Sequence, residues 1–238
     1  MIRMDTSQEG RFRGRPGGPG DGTDGCKPVG KIYDLGVSAP AWRADEQGSE
    51  SLLDAARQVF AERGFSGSGS IDAMRLPGWA AAGRNGCPVS KDQLFMALWQ
   101  NHHTAHEEAV RKAVAETLRV GVTDPASLFD AGARAFLQGT WQRRDLALLF
   151  ASGDAPKALG SRERSGRRAW LRCNAALLHL GDGPEDRLYA ASLTSLIGRG
   201  GWEVATAGNF RQAGDVIDAV LRYARLLLAD RPAPLPGT

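Results

Sequence analysis

From Glu50 to Ala229 the apolar residues recur at intervals of three and four, the period of a buried helical face. Nowhere do they alternate long enough to make a strand, and β-branched residues are sparse throughout. An all-α architecture is therefore expected. A chain of 238 residues is long enough to bury a real core in one larger unit beside a small one.

The first periodic stretch is Leu52, Leu53, Ala56, Val59 and Phe60, one apolar face that Gly64 should close after Arg63. Ser51 with Asp54 has the spacing of a weak cap. A long helix is expected from Ser90, which caps it, through Asp92 in its first turn, to about Val120. Leu94, Leu98, Ala105, Ala109, Ala113 and Leu118 line one side of it, and Gly121 and Pro125 interrupt it. Further helices are expected over 125–140, 142–152, 162–179, 184–199 and 210–229. Asp124 before Pro125 has the order of an N-cap followed by a first helical residue.

The two ends read differently. Residues 1–48 place Arg11, Arg13 and Arg15 among glycines and prolines, without an apolar period. Such a segment buries too little surface to offset its ordering entropy and reads as a solvated tail. A flexible arm on DNA phosphates, or a start codon assigned too far upstream, are the other readings. Residues 231–238 form a loose proline-rich end.

Bulk properties exclude more than they identify. A net charge of +3 permits nucleic-acid binding without arguing for it. Cys26, Cys87 and Cys173 are scattered and odd in number, so they read as free thiols in a reducing compartment. No apolar run could span a bilayer and the N-terminus lacks the apolar core of a secretory signal, so a cytoplasmic location is expected. There is no Gly-x-Ser-x-Gly, no phosphate-binding glycine loop and no Cys–His pair placed by sequence. The expectation is a protein without catalytic residues, metal or cofactor.

Three constellations have plain readings. His102 and His106 share a helix face, a geometry able to chelate a metal. Without a His-Glu-x-x-His order, these and His103 read as polar residues near a dimer or domain junction. Arg162, Arg164, Arg167, Arg168 and Arg172 read as a solvated face with Trp170 turned inward. The stripes of the last two helices, Leu188, Ala191, Leu193, Leu196 and Ile197, then Val216, Ile217, Val220, Tyr223, Leu226 and Leu227, are wider than one core needs.

Two anchors carry a family resemblance. Ala-Ala-Arg-Gln-Val-Phe-Ala-Glu-Arg-Gly-Phe, ending at Phe65, resembles the first helix and exit of the TetR-type transcriptional repressors. Ser90-Lys-Asp-Gln-Leu-Phe resembles the start of their fourth helix, and the separation of the two is the one that family uses. The resemblance implies a disordered tail at 1–48, a helix-turn-helix DNA-binding domain at 49–97, a helical ligand-binding and dimerisation domain at 98–230, and a disordered end at 231–238. Phe60 and Phe65 would pack the core of the first domain, and Lys91 would meet a phosphate. In a working helix-turn-helix, Ser68 would cap a helix at the DNA, Arg75 would serve a phosphate, Arg84 a guanine and Asn85 an adenine.

In the second domain the resemblance implies a pocket for a small apolar or aromatic effector. Trp99, Phe129, Phe136, Trp141, Phe150 and Trp170 come from separate helices and could converge there with Asn174 and His179, although aromatics at this spacing are also ordinary core. The ligand-binding residues expected are Trp99, Phe136, Phe150, Trp170 and Asn174. The last two helices would join their twin as a four-helix bundle in a homodimer. The partners implied are thus double-stranded operator DNA, a small-molecule effector and a second copy of the chain.

The segment between the anchors departs from the family pattern. Gly83, Gly86 and Pro88 stand where a recognition helix belongs, and its tyrosine and phenylalanine are absent. Each interior glycine costs about 1 kcal/mol against alanine and proline about 3 kcal/mol. The alternative function is therefore a helical dimeric sensor of small molecules that has lost specific DNA binding.

Overall fold

The computed structural model describes residues 46–69 and 90–229, with side chains from Leu52 onward. The expectations for Arg11, Arg13, Arg15, Cys26, Arg75, Gly83, Arg84, Asn85, Gly86, Cys87, Pro88 and residues 231–238 lie outside the described residues. Seven helices follow one another within them: α1 Glu46–Gly67, α2 Lys91–Arg119, α3 Pro125–Gln142, α4 Arg144–Ala151, α5 Leu159–Leu177, α6 Pro184–Thr206 and α7 Phe210–Ala229. Among the described residues there is no strand, and no helix is long and apolar enough to cross a membrane.

Helix α1 begins at Glu46, so Ser51 lies inside it and does not cap it. An apolar stripe marks only the buried part of a helix, and a polar first turn leaves no periodic trace. At the other end Gly64 takes φ 71°, as the sequence suggests, and breaks the helical run. The glycine is needed there twice over, because a Cβ would also stand 2.6 Å from Asp154 Oδ2. That carboxylate accepts the Ser66 backbone N–H at 2.9 Å and the Ser66 hydroxyl at 2.5 Å, which pins the exit of α1 to the loop after α4.

Helix α2 starts at a reciprocal capping box. Ser90 Oγ accepts the Gln93 N–H at 3.2 Å, and Gln93 Oε1 accepts the Ser90 N–H at 2.7 Å. Asp124 caps α3 by accepting the Ser127 N–H at 2.9 Å, with Pro125 in the first turn. Helix α5 begins earlier than its sequence pattern indicates, because Leu159 is buried in a core that the pattern of α5 alone does not reveal. Helix α6 runs on to Thr206 through Gly200 and Gly201. Their helix propensity is poor, but a Cβ on Gly200 would come within 2.6 Å of Val220 Cγ2, and one on Gly201 within 3.3 Å of the Phe136 ring. Close packing against α7 and α3 therefore outweighs a cost of about 1 kcal/mol per glycine.

Two apolar clusters organise the bundle, and α2 runs through both. The first joins Leu52, Ala56 and Phe60 of α1 to Leu94, Phe95 and Leu98 of α2, and adds Leu146, Leu149 and Phe150 of α4. The second is built by the later half of α2 with α3, α5, α6 and α7. Helix α7 is clamped to α3 by Arg225, which binds Asp130 at 2.7 and 3.0 Å, and by Arg134 with Asp218 at 3.2 Å. Leu188 on α6 and Phe210, Tyr223 and Leu226 on α7 are left exposed.

Candidate functional site

Five helices leave between them a cavity of about 580 Å³. Helix α2 contributes Trp99, His102, His103 and His106, α3 contributes Phe129, Phe136 and Thr140, and α4 contributes Phe150. Helix α5 adds Glu163, Trp170 and Asn174, and α6 adds Thr194, Arg199 and Trp202. Each helix turns one face to the space, so residues three or four apart on one helix reach the same wall. Such a volume, lined mainly by aromatic and aliphatic groups with a few polar ones, suits a small organic molecule.

The histidines form the least expected part of this wall. His102 Nε2 and His106 Nε2 are 3.2 Å apart. One of the two must donate and the other accept, so the rings hold complementary tautomers. Burial, reinforced by the neighbouring imidazole and by Arg143, lowers the pKa of His102 to about 2. Burial, with His103 and Arg143 nearby, lowers that of His106 to about 3. Both rings are neutral at physiological pH. His106 lies 4.6 Å from the Phe136 ring and His103 5.0 Å from that of Trp99.

Glycines make room for these rings. A Cβ on Gly139 would meet His106 Nδ1 at 3.2 Å, and one on Gly166 would meet His103 Nε2 at 2.7 Å. Arg143, at the break between α3 and α4, donates to Asn101 Oδ1 at 2.5 Å, and burial lowers its pKa. Among the described residues, the buried side-chain polar atoms without a hydrogen-bond partner are His102 Nδ1, His106 Nδ1 and Arg143 Nε. All of them lie at the junction of α2 with the α3–α4 break. Within the described residues no group of three or more His, Cys, Asp or Glu side chains is placed to hold a metal ion.

The ligand-binding residues expected from sequence, Trp99, Phe136, Phe150, Trp170 and Asn174, all line this one cavity, and so does Phe129. Trp141 does not; it packs at 6.3 Å from the Phe210 ring, with Arg144 over its face at 4.2 Å. His179 is exposed at the end of α5 with φ 52°, away from the cavity. The five arginines of α5 are exposed, and Trp170 turns inward, as the stripe suggests. His102, His103 and His106 are cavity residues that sequence reading placed at a junction. Their spacing beside Trp99 on an otherwise apolar face was the available signal.

At the other end of α2 the geometry assigns Lys91 and Ser68 to the exit of α1. Lys91 Nζ donates to the carbonyls of Phe65 at 2.8 Å and Ser68 at 2.9 Å, and lies 4.3 Å from the centre of the Phe65 ring. Its third N–H remains for another acceptor. Ser68 is 2% exposed and donates its hydroxyl to the Phe65 carbonyl at 2.8 Å. The Ser68 side chain thus faces inward, because the broken end of α1 leaves a carbonyl that needs a donor. Phe60, Phe65 and Phe95 pack as an aromatic triad with centroids 6.2, 5.3 and 5.1 Å apart.

Solved structures share this arrangement. A TetR-like transcriptional regulator from Rhodococcus sp. RHA1 matches with a TM-score of 0.59 at 22% identity, over 77% of this chain and 97% of its own. The fold is that of TetR-like regulators. A TetR family transcriptional regulator, PfmR, from Thermus thermophilus matches with a TM-score of 0.52 at 14% identity, over 76% of this chain and 99% of its own. No family model matches the chain, and no curated protein does. In this TetR-like arrangement the anchor ending at Phe65 and the anchor starting at Ser90 are brought face to face by the aromatic triad and by Lys91.

Proposed function

We propose that this protein is a ligand-responsive transcriptional regulator that binds operator DNA as a homodimer. One contact carries the reading. Phe150 lines the cavity and also meets the Phe95 ring edge-on at 5.4 Å, inside the core that holds α1 to α2. An occupant that moves Phe150 therefore bears directly on the packing of the amino-terminal unit. The likeness in fold to TetR-like regulators supports the same assignment.

In this reading residues 49–97 bind DNA, and residues 98–230 bind the effector and the partner. Lys91 offers its third N–H to a phosphate while holding the exit of α1. Arg75 serves a second phosphate, and Arg84 and Asn85 reach base edges. The effector is a small apolar or aromatic molecule held among Trp99, Phe136, Phe150, Trp170 and Asn174. The exposed apolar residues of α6 and α7 pair with their copies in a second chain. The effector binds one conformation better than the other, and the favoured one spaces the two DNA units wrongly for two half-sites.

The test is a binding assay on the DNA flanking the protein's own gene, at stated salt. Nanomolar, competitor-resistant binding that an effector relieves is the expected result. Gly83, Gly86 and Pro88 favour a second reading, a dimeric sensor without specific DNA binding. Weak binding that disappears as salt rises would select that one.

A further inference from the structure

Two threonine hydroxyls and the amide of the cavity wall, on Thr140, Thr194 and Asn174, are one-sided, and the helices impose it. Thr194 commits its only hydroxyl proton to the Ala190 carbonyl, one turn back at 2.7 Å. Asn174 Nδ2 lies 3.0 Å from the same hydroxyl oxygen. A hydroxyl whose proton is committed can only accept, so Asn174 must turn its NH₂ toward Thr194. Its Oδ1 is then left without a partner among the described residues, on a side chain that lines the cavity.

Thr140 repeats the pattern. It is 4% exposed, it lines the same space, and its proton goes to the Phe136 carbonyl at 3.0 Å. Only lone pairs remain for an occupant. His102 and His106 spend their Nε2 atoms on each other, and their Nδ1 atoms are closed off from solvent. Glu163, the carboxylate on the wall, is another acceptor, and burial raises its pKa. The cations Arg167 and Arg199 also line the cavity, but both are exposed to water, and Arg199 is paired with Glu203.

Resting on the reading of this cavity as the effector site, we propose that it selects an uncharged aromatic molecule carrying a hydroxyl or amino group, which donates a hydrogen bond to Asn174 Oδ1. The corresponding carboxylate is disfavoured. It would set acceptor against acceptor at Asn174 and would lose its hydration without gaining an inner cation.

Three probes with one ring system separate the possibilities: 2-naphthol, 2-methylnaphthalene and 2-naphthoate, measured by equilibrium dialysis against the full chain. The naphthol should bind about 10-fold tighter than its methyl analogue, and the naphthoate weakest. Asn174→Leu should abolish the naphthol advantage, so that naphthol and 2-methylnaphthalene then bind alike. Thr194→Val is an independent arm, because it keeps Asn174 but frees the amide to rotate its NH₂ toward the occupant, so the disadvantage of the naphthoate should shrink. Equal binding of naphthol and methylnaphthalene by the unaltered protein, a naphthol advantage that survives Asn174→Leu, or a naphthoate disadvantage that Thr194→Val leaves unchanged overturns the proposal. If none of the three binds, the effector-site reading itself fails, which is a different result from binding without discrimination.

Discussion

Arg57 of α1 grips Asp145 of α4 with two parallel hydrogen bonds, Nε to Oδ2 at 2.5 Å and Nη2 to Oδ1 at 2.7 Å. The guanidinium pKa is raised, first by this hydrogen bond, while that of the Asp145 carboxyl is lowered by the pairing in spite of burial. With Ser66 on Asp154, it is the second polar tie between α1 and the chain around α4. Asp145→Asn removes the charge and one arm of the fork. Both side chains are about a third exposed, so the expected loss of stability is small, about 1 kcal/mol. Effector-induced release of DNA should weaken more than effector binding itself. Parallel titrations of effector and DNA would check this, and equal losses in both would count against the link.

Lys91 should matter to folding even where DNA is absent. Lys91→Met keeps the stem but takes this donor from the Ser68 carbonyl, leaves the Phe65 carbonyl with the Ser68 hydroxyl alone, and leaves the Phe65 ring without its cation. A drop of about 1–3 kcal/mol is expected in denaturant unfolding. A Lys91 that served only a phosphate would leave this midpoint unmoved.

Acid should destabilise the protein through its histidines. His102 and His106 have folded pKa values near 2 and 3, below the ordinary histidine value of 6.5. Between those limits the unfolded chain binds more protons, so stability is full above about pH 6.5 and is lost as pH falls toward 3. Each ring then contributes about 1.4 kcal/mol per pH unit while only the unfolded form titrates, an upper bound near 4 kcal/mol for the two by about pH 5. Melting temperatures between about pH 7 and pH 5 should fall steeply in the parent chain and less steeply in His106→Leu.

Gly200→Ala tests the α6–α7 contact. A Cβ placed 2.6 Å from Val220 Cγ2 must push the two helices apart. Overpacking of this kind costs about 1–3 kcal/mol, against a gain of about 1 kcal/mol in helix propensity. A melting temperature above that of the parent would show that the helices are not held this closely.

Leu226→Glu tests the proposed pairing of two chains. Leu226 is 62% exposed, so the substitution should leave the folded chain intact. Sedimentation should report a shift from dimer to monomer. An unchanged molecular mass in a folded variant would move the pairing surface elsewhere.

The helical class was legible because burial in a helix leaves a period in the sequence. Ser90, Asp124 and Gly64 announce their boundaries by local chemistry, a cap or a positive φ, that needs no tertiary partner. Boundaries went astray where a partner from another helix decided them, as at Leu159 and at Gly200 with Gly201. Trp99, Phe129, Phe136, Phe150 and Trp170 were anticipated in the lining and Trp202 was not, and nothing local distinguishes Trp170, which faces the cavity, from Trp141, which packs beside Phe210.

Residue order alone determined that the chain is helical, where most helices start, and which side chains each presents on one face, since these depend on neighbours within a few positions. Only the tertiary structure decided that His102, His106 and Arg143 share one buried junction, and that Lys91 turns toward the carbonyls of Phe65 and Ser68. Those outcomes depend on which groups meet across helices, and the free energy of a polar group is set by whether a partner stands within hydrogen-bonding reach, not by its place along the chain.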